Sequence, residues 1–162
     1  MLIGVTGDTH NNLKNIAVIC DIFNKINPSF VIHTGDITLP KSLQAFSILK
    51  MPFIGVFGNN DELEKKDLLL ESKKFNCKLF NEPHFLKIDN KRIHILHHPD
   101  LITDEMILNS DIILHGHTHR YRSEVIDNAL IFNPGESAGF LKGKNKVGLV
   151  DTKKNISRII SF

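Results

Sequence analysis

Three short apolar runs dominate the first third of the chain: Leu2 to Thr6, Phe30 to His33 and Phe53 to Phe57. None alternates with polar residues, so each must be buried on both faces, and a parallel sheet covered by helices is the arrangement that achieves this. The segments between them agree. Leu13, Ile16, Ala17, Cys20 and Phe23 recur at helical spacing, with Asn12 placed to cap the helix and Pro28 to stop it. Leu43, Phe46 and Leu49 mark a second short helix from about Lys41, and a more polar helix is expected from Glu62 to Lys74. The order is therefore β-α-β-α-β-α.

After Phe75 the rhythm changes. Phe85 to Ile88 and Arg92 to Leu96 flank Asp89-Asn90-Lys91 as a hairpin would, and Glu124 to Ile126 and Leu130 to Phe132 flank Asp127-Asn128-Ala129. A last pair, Val147 to Val150 and Ile156 to Ile160, brackets another turn; a helix from Thr103 to Asn109 and an apolar strand, Ile112 to Leu114, lie between. The second half should be antiparallel or mixed sheet. No repeat, low-complexity tract or long linker divides the chain, so one domain over residues 1–162 is expected.

Most of the strands end in polar residues able to bind metal. The first runs into Gly7-Asp8-Thr9-His10, the second into Gly35-Asp36, and the third into Gly58-Asn59-Asn60-Asp61. Arg92 to Leu96 runs into His97-His98, and Ile112 to Leu114 into His115-Gly116-His117-Thr118-His119. Ligands of open α/β sheets bind outside the carboxyl ends of the strands, so these five segments should converge on one face.

Charge and length narrow the function. With 20 Lys and Arg against 18 Asp and Glu, there is no field of the kind that gathers nucleic acid or a membrane surface. No apolar run approaches the ~20 residues of a membrane span, and the N-terminus lacks the basic region of a signal peptide. Two distant cysteines without C-x-x-C spacing suit reducing cytosol, so a cytoplasmic protein with no membrane partner is expected, with a homo-oligomer left open.

Nine histidines in 162 residues need an explanation. His33 and His94 sit inside strands and read as structural, and His84, beside Pro83, as a solvent-exposed loop residue. His117 and His119, two apart in a segment taken as extended, would leave the same face, a spacing suited to metal. Carboxylate, amide and imidazole without thiolate favour a catalytic ion over a structural zinc. Two divalent ions would carry four positive charges against two from Asp8 and Asp36, leaving an excess to hold a hydroxide and an anionic phosphate.

The ordered series D-x-H, G-D, G-N-x-D, H and G-H-x-H resembles that of the calcineurin-like metallophosphoesterases, and the absence of a cap resembles their small YfcE-type phosphodiesterase branch. The match runs from Gly7 to Gly135 and takes in Asn133-Pro134-Gly135. The resemblance implies a mixed α/β fold, a four-layer α-β-β-α sandwich with two mixed β-sheets. It also implies two metal positions, one held by Asp8, His10, Asp36 and His119 and the other by Asp36, Asn59, His97 and His117, with manganese first and nickel, iron, zinc, cobalt or magnesium as alternatives.

The implied activity is hydrolysis of a small phosphodiester by a hydroxide held between the two ions. Two positions depart from the broad pattern. Asn60 stands where many members have His, and an amide has no proton to give a leaving alkoxide; His98 follows His97 where relatives often have Gly, and is a candidate proton donor. The resemblance implies that Asp61 orients residue 60 or its loop, while the residues alone read it equally as the N-cap of a helix beginning at Glu62. His115 is a candidate acceptor for a metal-bound imidazole.

Three other readings compete. A scaffold of the same fold acting in protein–protein interaction would resemble the retromer subunit; a phosphomonoesterase or a nuclease would share the motifs, although Arg120 and Arg122 alone do not make a nucleic-acid track, so nucleic acid is not the expected partner. Gly135-Glu136-Ser137-Ala138-Gly139 matches the G-x-S-x-G elbow of serine hydrolases, but no His follows it in the chain, so that reading fails.

Overall fold

A computed structural model describes residues 1–162. It contains two mixed sheets packed face to face. The first has six strands, β1 (Leu2–Thr6), β2 (Phe30–His33), β3 (Phe53–Val56), β4 (Cys77–Phe80), β10 (Lys146–Asp151) and β11 (Ile156–Ser161), in the order β11-β10-β1-β2-β3-β4. β1 to β4 run parallel, with Ile3 opposite Phe30 and Val31 opposite Phe53, while β10 joins antiparallel to β1 and to β11.

The second sheet has five strands, β5 (His84–Ile88), β6 (Lys91–Ile95), β7 (Ile112–Leu114), β8 (Arg122–Ile126) and β9 (Ala129–Asn133), in the order β5-β6-β7-β9-β8. Its centre is parallel and its two edges are hairpins. Each hairpin turns in two residues, Asp89-Asn90 and Asp127-Asn128, all four with φ between 47° and 71°, the double left-handed geometry of a tight turn that Asn and Asp tolerate best.

Three packed layers of side chains hold four layers of backbone together. Helix α1 (Leu13–Ile26), the short α2 (Pro40–Ala45, extended by a 3-10 turn to Ile48) and α3 (Lys65–Ser72) cover the outer face of the six-stranded sheet through Ile16, Phe23, Leu43, Phe46 and Leu68. Between the sheets, Ile3, Val5 and Ile32 meet Ile93, Ile112 and Phe132, all without solvent exposure. The far face of the second sheet carries Leu96, Ile113 and Ile131 under α4 (Asp104–Leu108). The expected four-layer α-β-β-α sandwich is present, with a fourth layer only one short helix thick.

Local chemistry sets the helix ends. Asn12 accepts the backbone N–H of Asn15 at the start of α1, and Asn27, at φ 55°, ends it before Pro28. Thr103 caps α4 in the same way through Met106 N–H. The polar helix expected over 62–74 is shorter: residues 59–64 form a 3-10 turn, and α3 begins only at Lys65. β4 was not anticipated from the sequence. His84 is not a free loop residue; it opens β5, half-buried, with its ring stacked 3.6 Å from that of Phe80.

Candidate metal centre

The loops after β1, β2, β3, β6 and β7 meet at one edge of the sandwich, and they interlock through backbone and carboxylate bonds. Asp8 N–H donates to Gly35 O and His10 N–H to Asp36 O, both at 2.9 Å. His117 N–H donates to both carboxylate oxygens of Asp8 at 3.0 Å. Two glycines allow this closeness: a Cβ on Gly58 would lie 2.3 Å from Asp36 Oδ1, and one on Gly116 would lie 2.9 Å from Asp8 Oδ2.

All seven residues expected to hold metal are brought together. Ligand atoms of Asp8, His10 and His119 lie within 4.8 Å of one another, as do those of Asp8, Asp36 and His97. Asp36 Oδ2 stands between the two sets, 3.8 Å from His10 Nε2 and 3.5 Å from His97 Nε2. Asn59 Oδ1 is 3.0 Å from His97 Nε2, and His117 Nδ1 is 3.3 Å from that same nitrogen. His117 and His119 do not lie on an extended strand, as their spacing suggested; both are left-handed, at φ 69° and 53°, so one ring joins His97 and the other stacks on His10.

The free nitrogens of the histidines point at the carboxylates. His97 Nδ1–H donates to Thr34 O (2.9 Å) and His119 Nδ1–H to Glu136 (2.6 Å), which leaves Nε2 of each with its lone pair. His10 Nε2 is buried with no hydrogen-bond partner at all. A buried nitrogen without a partner is costly unless something else occupies the space, and divalent ions fit this donor set of imidazole, carboxylate and amide oxygen.

Burial also sets the charge states. It pushes the Asp8 carboxyl up to about 7, with His119 pulling it down and Asp36 adding to the rise. Asp36 is subject to the same burial, yet His97 and the two hydrogen bonds from Asn60 bring it below the ordinary carboxylate range. Burial lowers both His10 and His97, so these rings are neutral and able to coordinate.

Of the remaining residues, one expectation, that for His115, is corrected. Asp61, fully buried, does both kinds of work expected of it: it accepts the Gly58 N–H (2.7 Å) that opens the 59–64 turn, and N–H from Asp36 (2.9 Å) and Thr38 (2.6 Å), tying two ligand loops together. Asn60 turns toward Asp36, donating from its backbone N–H (2.9 Å) and its side-chain amide (2.7 Å). His115 bonds no metal-facing imidazole; its Nδ1 goes to Gly116 O, 3.1 Å away. Ser137 of the G-x-S-x-G segment is fully buried and donates to Gly7 O, so it is no nucleophile.

Two carboxylates at the centre were missed in the sequence. Glu136, buried beside His119, also accepts Phe140 N–H at 3.0 Å, and Glu82 bonds His98 Nδ1 at 2.6 Å. Counting only Asp8 and Asp36 therefore understated the negative charge around the site. Glu136 directly follows Asn133-Pro134-Gly135, and a charged residue after an otherwise buried strand was the one available signal. His33 is the satisfied structural histidine expected: Nδ1 accepts Gly35 N–H (3.2 Å) and Nε2–H donates to Thr9 (2.9 Å).

Known proteins resemble this chain in sequence and in fold. The phosphodiesterase MJ0936 of Methanocaldococcus jannaschii is 34% identical over 165 residues, covering 99% of this chain and 98% of its own. The solved structure of an archaeal phosphodiesterase superposes with a TM-score of 0.92 at 34% identity over the whole of both chains. That of the YfcE phosphoesterase of E. coli gives 0.74 at 16% identity, covering 99% of each, a likeness of fold. The model of the calcineurin-like phosphoesterase superfamily domain matches residues 1–155, and the chain belongs to that superfamily.

Proposed function

We propose that this phosphoesterase is a two-metal phosphodiesterase acting on a small phosphodiester. The observation that carries the reading is the place of Asp36 Oδ2 between two ligand groups, 3.8 Å from His10 Nε2 and 3.5 Å from His97 Nε2. Asp8, His10, Asp36 and His119 would hold one ion, and Asp36, Asn59, His97 and His117 the other. When bound, such a pair lowers the pKa of an attacking water and clamps the phosphoryl group. The name of the 34%-identical archaeal relative supports the diester over the monoester.

The chain's own residues then divide the work. Asp36 takes the shared position, and Asn60 holds both its oxygens, leaving that amide as a positioning residue with no proton to donate. Asp61 keeps the Asp36 and Gly58 loops in register. Beside Asn59 a cleft of about 320 Å³, lined also by Phe57, Lys65 and Asn81, has room for a small ester group.

The test is a panel of phosphate mono- and diesters against chelated protein reloaded with manganese, nickel, iron, zinc, cobalt or magnesium in turn. Manganese-dependent hydrolysis of a bis-aryl phosphodiester is expected, abolished by Asp36→Asn or His117→Ala. Rates should fall steeply as the leaving group becomes less acidic, because no residue at position 60 can protonate it. Faster turnover of monoesters overturns the diester assignment; absence of bound metal and of turnover favours a scaffold role.

A further inference from the structure

The seven-residue set leaves His98 and Glu82 unused, yet they are built into the same edge. One ring nitrogen from each of His97, His98 and His117 lies within 4.8 Å of the others. The His98 ring is 4.6 Å from the His117 ring and 4.8 Å from that of His97. Glu82 fixes it twice: Oε1 accepts His98 Nδ1–H at 2.6 Å, and Oε2 accepts the backbone N–H of His97 (2.5 Å) and of His98 (2.9 Å). That carboxylate sets the tautomer and leaves Nε2 of His98 with its lone pair and no hydrogen bond. The arrangement repeats the one around His119, where Glu136 holds Nδ1 and Nε2 faces Asp8. Carboxylate–imidazole pairs of this kind orient metal ligands.

We propose that His98 is an additional ligand of the second ion, giving it Asp36, Asn59, His97, His98 and His117, with Glu82 as the positioning residue. The inference rests on the two-metal reading above. Three imidazoles at one position have a chemical consequence. The third imidazole raises affinity most for nitrogen-seeking ions such as zinc, nickel or cobalt and least for manganese, whose preference is for oxygen, so manganese still binds but gains little from His98. As a ligand, His98 is not free to protonate a leaving group, so the sensitivity to leaving-group acidity remains.

The test is metal binding to chelated protein, with zinc, manganese and Co(II) titrated into wild type, His98→Gln, Glu82→Gln and His117→Gln. Wild type and H98Q should each bind two ions. H98Q should lose about tenfold or more in zinc affinity for one of the two ions, the same one that H117Q loses, and less than about threefold for manganese, and E82Q should shift in the same direction, since orienting partners are worth about 10–100-fold. A His98→Cys variant loaded with Co(II) should gain a thiolate-to-cobalt charge-transfer band. Melting of the metal-free variants within a few degrees of wild type excludes misfolding. The proposal is overturned if H98Q matches wild type in zinc affinity and Co(II) spectrum while H117Q loses an ion. Binding of fewer than two ions by wild type overturns the two-metal reading itself.

Discussion

Gly58→Ala is the change whose effect follows most directly from the coordinates. Gly58 has φ −103° and ψ −178°, ordinary extended backbone that alanine adopts without strain. The penalty is entirely one of space: the new methyl would stand 2.3 Å from Asp36 Oδ1, 2.6 Å from Asp36 N and 2.9 Å from His97 Cε1. A carbon–oxygen contact needs about 3.3 Å, so the Asp36 and Gly58 loops must separate by about 1 Å. Overpacking of this kind costs about 1–3 kcal/mol, which for a chain of this length lowers Tm by about 2–12 °C. The functional loss should be larger, because metal–ligand distances tolerate only about 0.2 Å and a 1 Å misplacement costs about 10²-fold in rate. Gly143→Ala is the control. Gly143 has φ +70° and nothing within 4 Å of the added methyl, so it pays about 1–2 kcal/mol of backbone strain without touching the site. Melting temperature, manganese content after reloading and hydrolysis of a bis-aryl phosphodiester should be measured for both. If G58A retains two metals and turnover within about threefold of G143A, close packing of those loops does not determine the position of Asp36.

Glu136→Gln should weaken metal binding about 10–100-fold with little change in fold stability, since His119 loses the charge on its Nδ1 acceptor but keeps a hydrogen-bonding oxygen; equal affinity by isothermal titration would refute the role. Metal uptake should release a proton. Burial holds the Asp8 carboxyl up to about 7, so the proton is present below that value and must leave when an ion binds, whereas His10 and His97, both lowered, do not compete. Affinity should therefore rise about tenfold per pH unit to about pH 7 and then level off; titrations in buffers of different ionisation heat check the proton count. His33 gives a dependence of the same sign in the stability of the metal-free fold, because burial lowers its pKa from 6.5 to about 3. The folded state then binds fewer protons than the unfolded one between these values, and stability present above pH 6.5 is lost as pH falls. Relative to His33→Gln, wild type should lose up to ~1.4 kcal/mol per pH unit between pH 6 and pH 4 in urea unfolding; a constant difference would show that His33 does not carry it.

What could be read in the sequence was what repeats locally. The runs Leu2–Thr6, Phe30–His33 and Phe53–Val56 are strands because nothing polar interrupts them, and the ligands at their ends follow within a few residues. β4 escaped because Cys77-Lys78-Leu79-Phe80 is four residues long, lies at a sheet edge and buries only Leu79 fully. Glu82 and Glu136 escaped for another reason. Each acts on a histidine 16 or 17 residues away along the chain, and no spacing rule relates a carboxylate to a ring it meets only through the fold. Asp61 was legible as a cap, since it takes the Gly58 N–H that opens the 59–64 turn, but its bonds to Asp36 and Thr38 join loops that meet only through the fold.

The same site runs against local preference. Asp8, His10, Asp36, His117 and His119 all sit at φ between 46° and 69°, a left-handed region that costs a non-glycine residue about 1–2 kcal/mol. Five such residues together forfeit about as much as the whole net stability of a small domain. They stay there because each turn is tied to the next: the first loop to the second through Asp8 N–H and His10 N–H, the second to the third through Asp61, and the G-H-x-H loop back to Asp8 through His117 N–H. Strain distributed over a closed set of bonds cannot relax at one place without moving the others. Removing a single brace should therefore displace ligands on loops it does not touch, and losses from Asp61, Glu136 and Gly58 substitutions should couple rather than add. The well-packed layers between and outside the sheets bear this cost, which is how an ordinary sandwich holds an unfavourable rim of turns in the geometry that binding divalent ions requires.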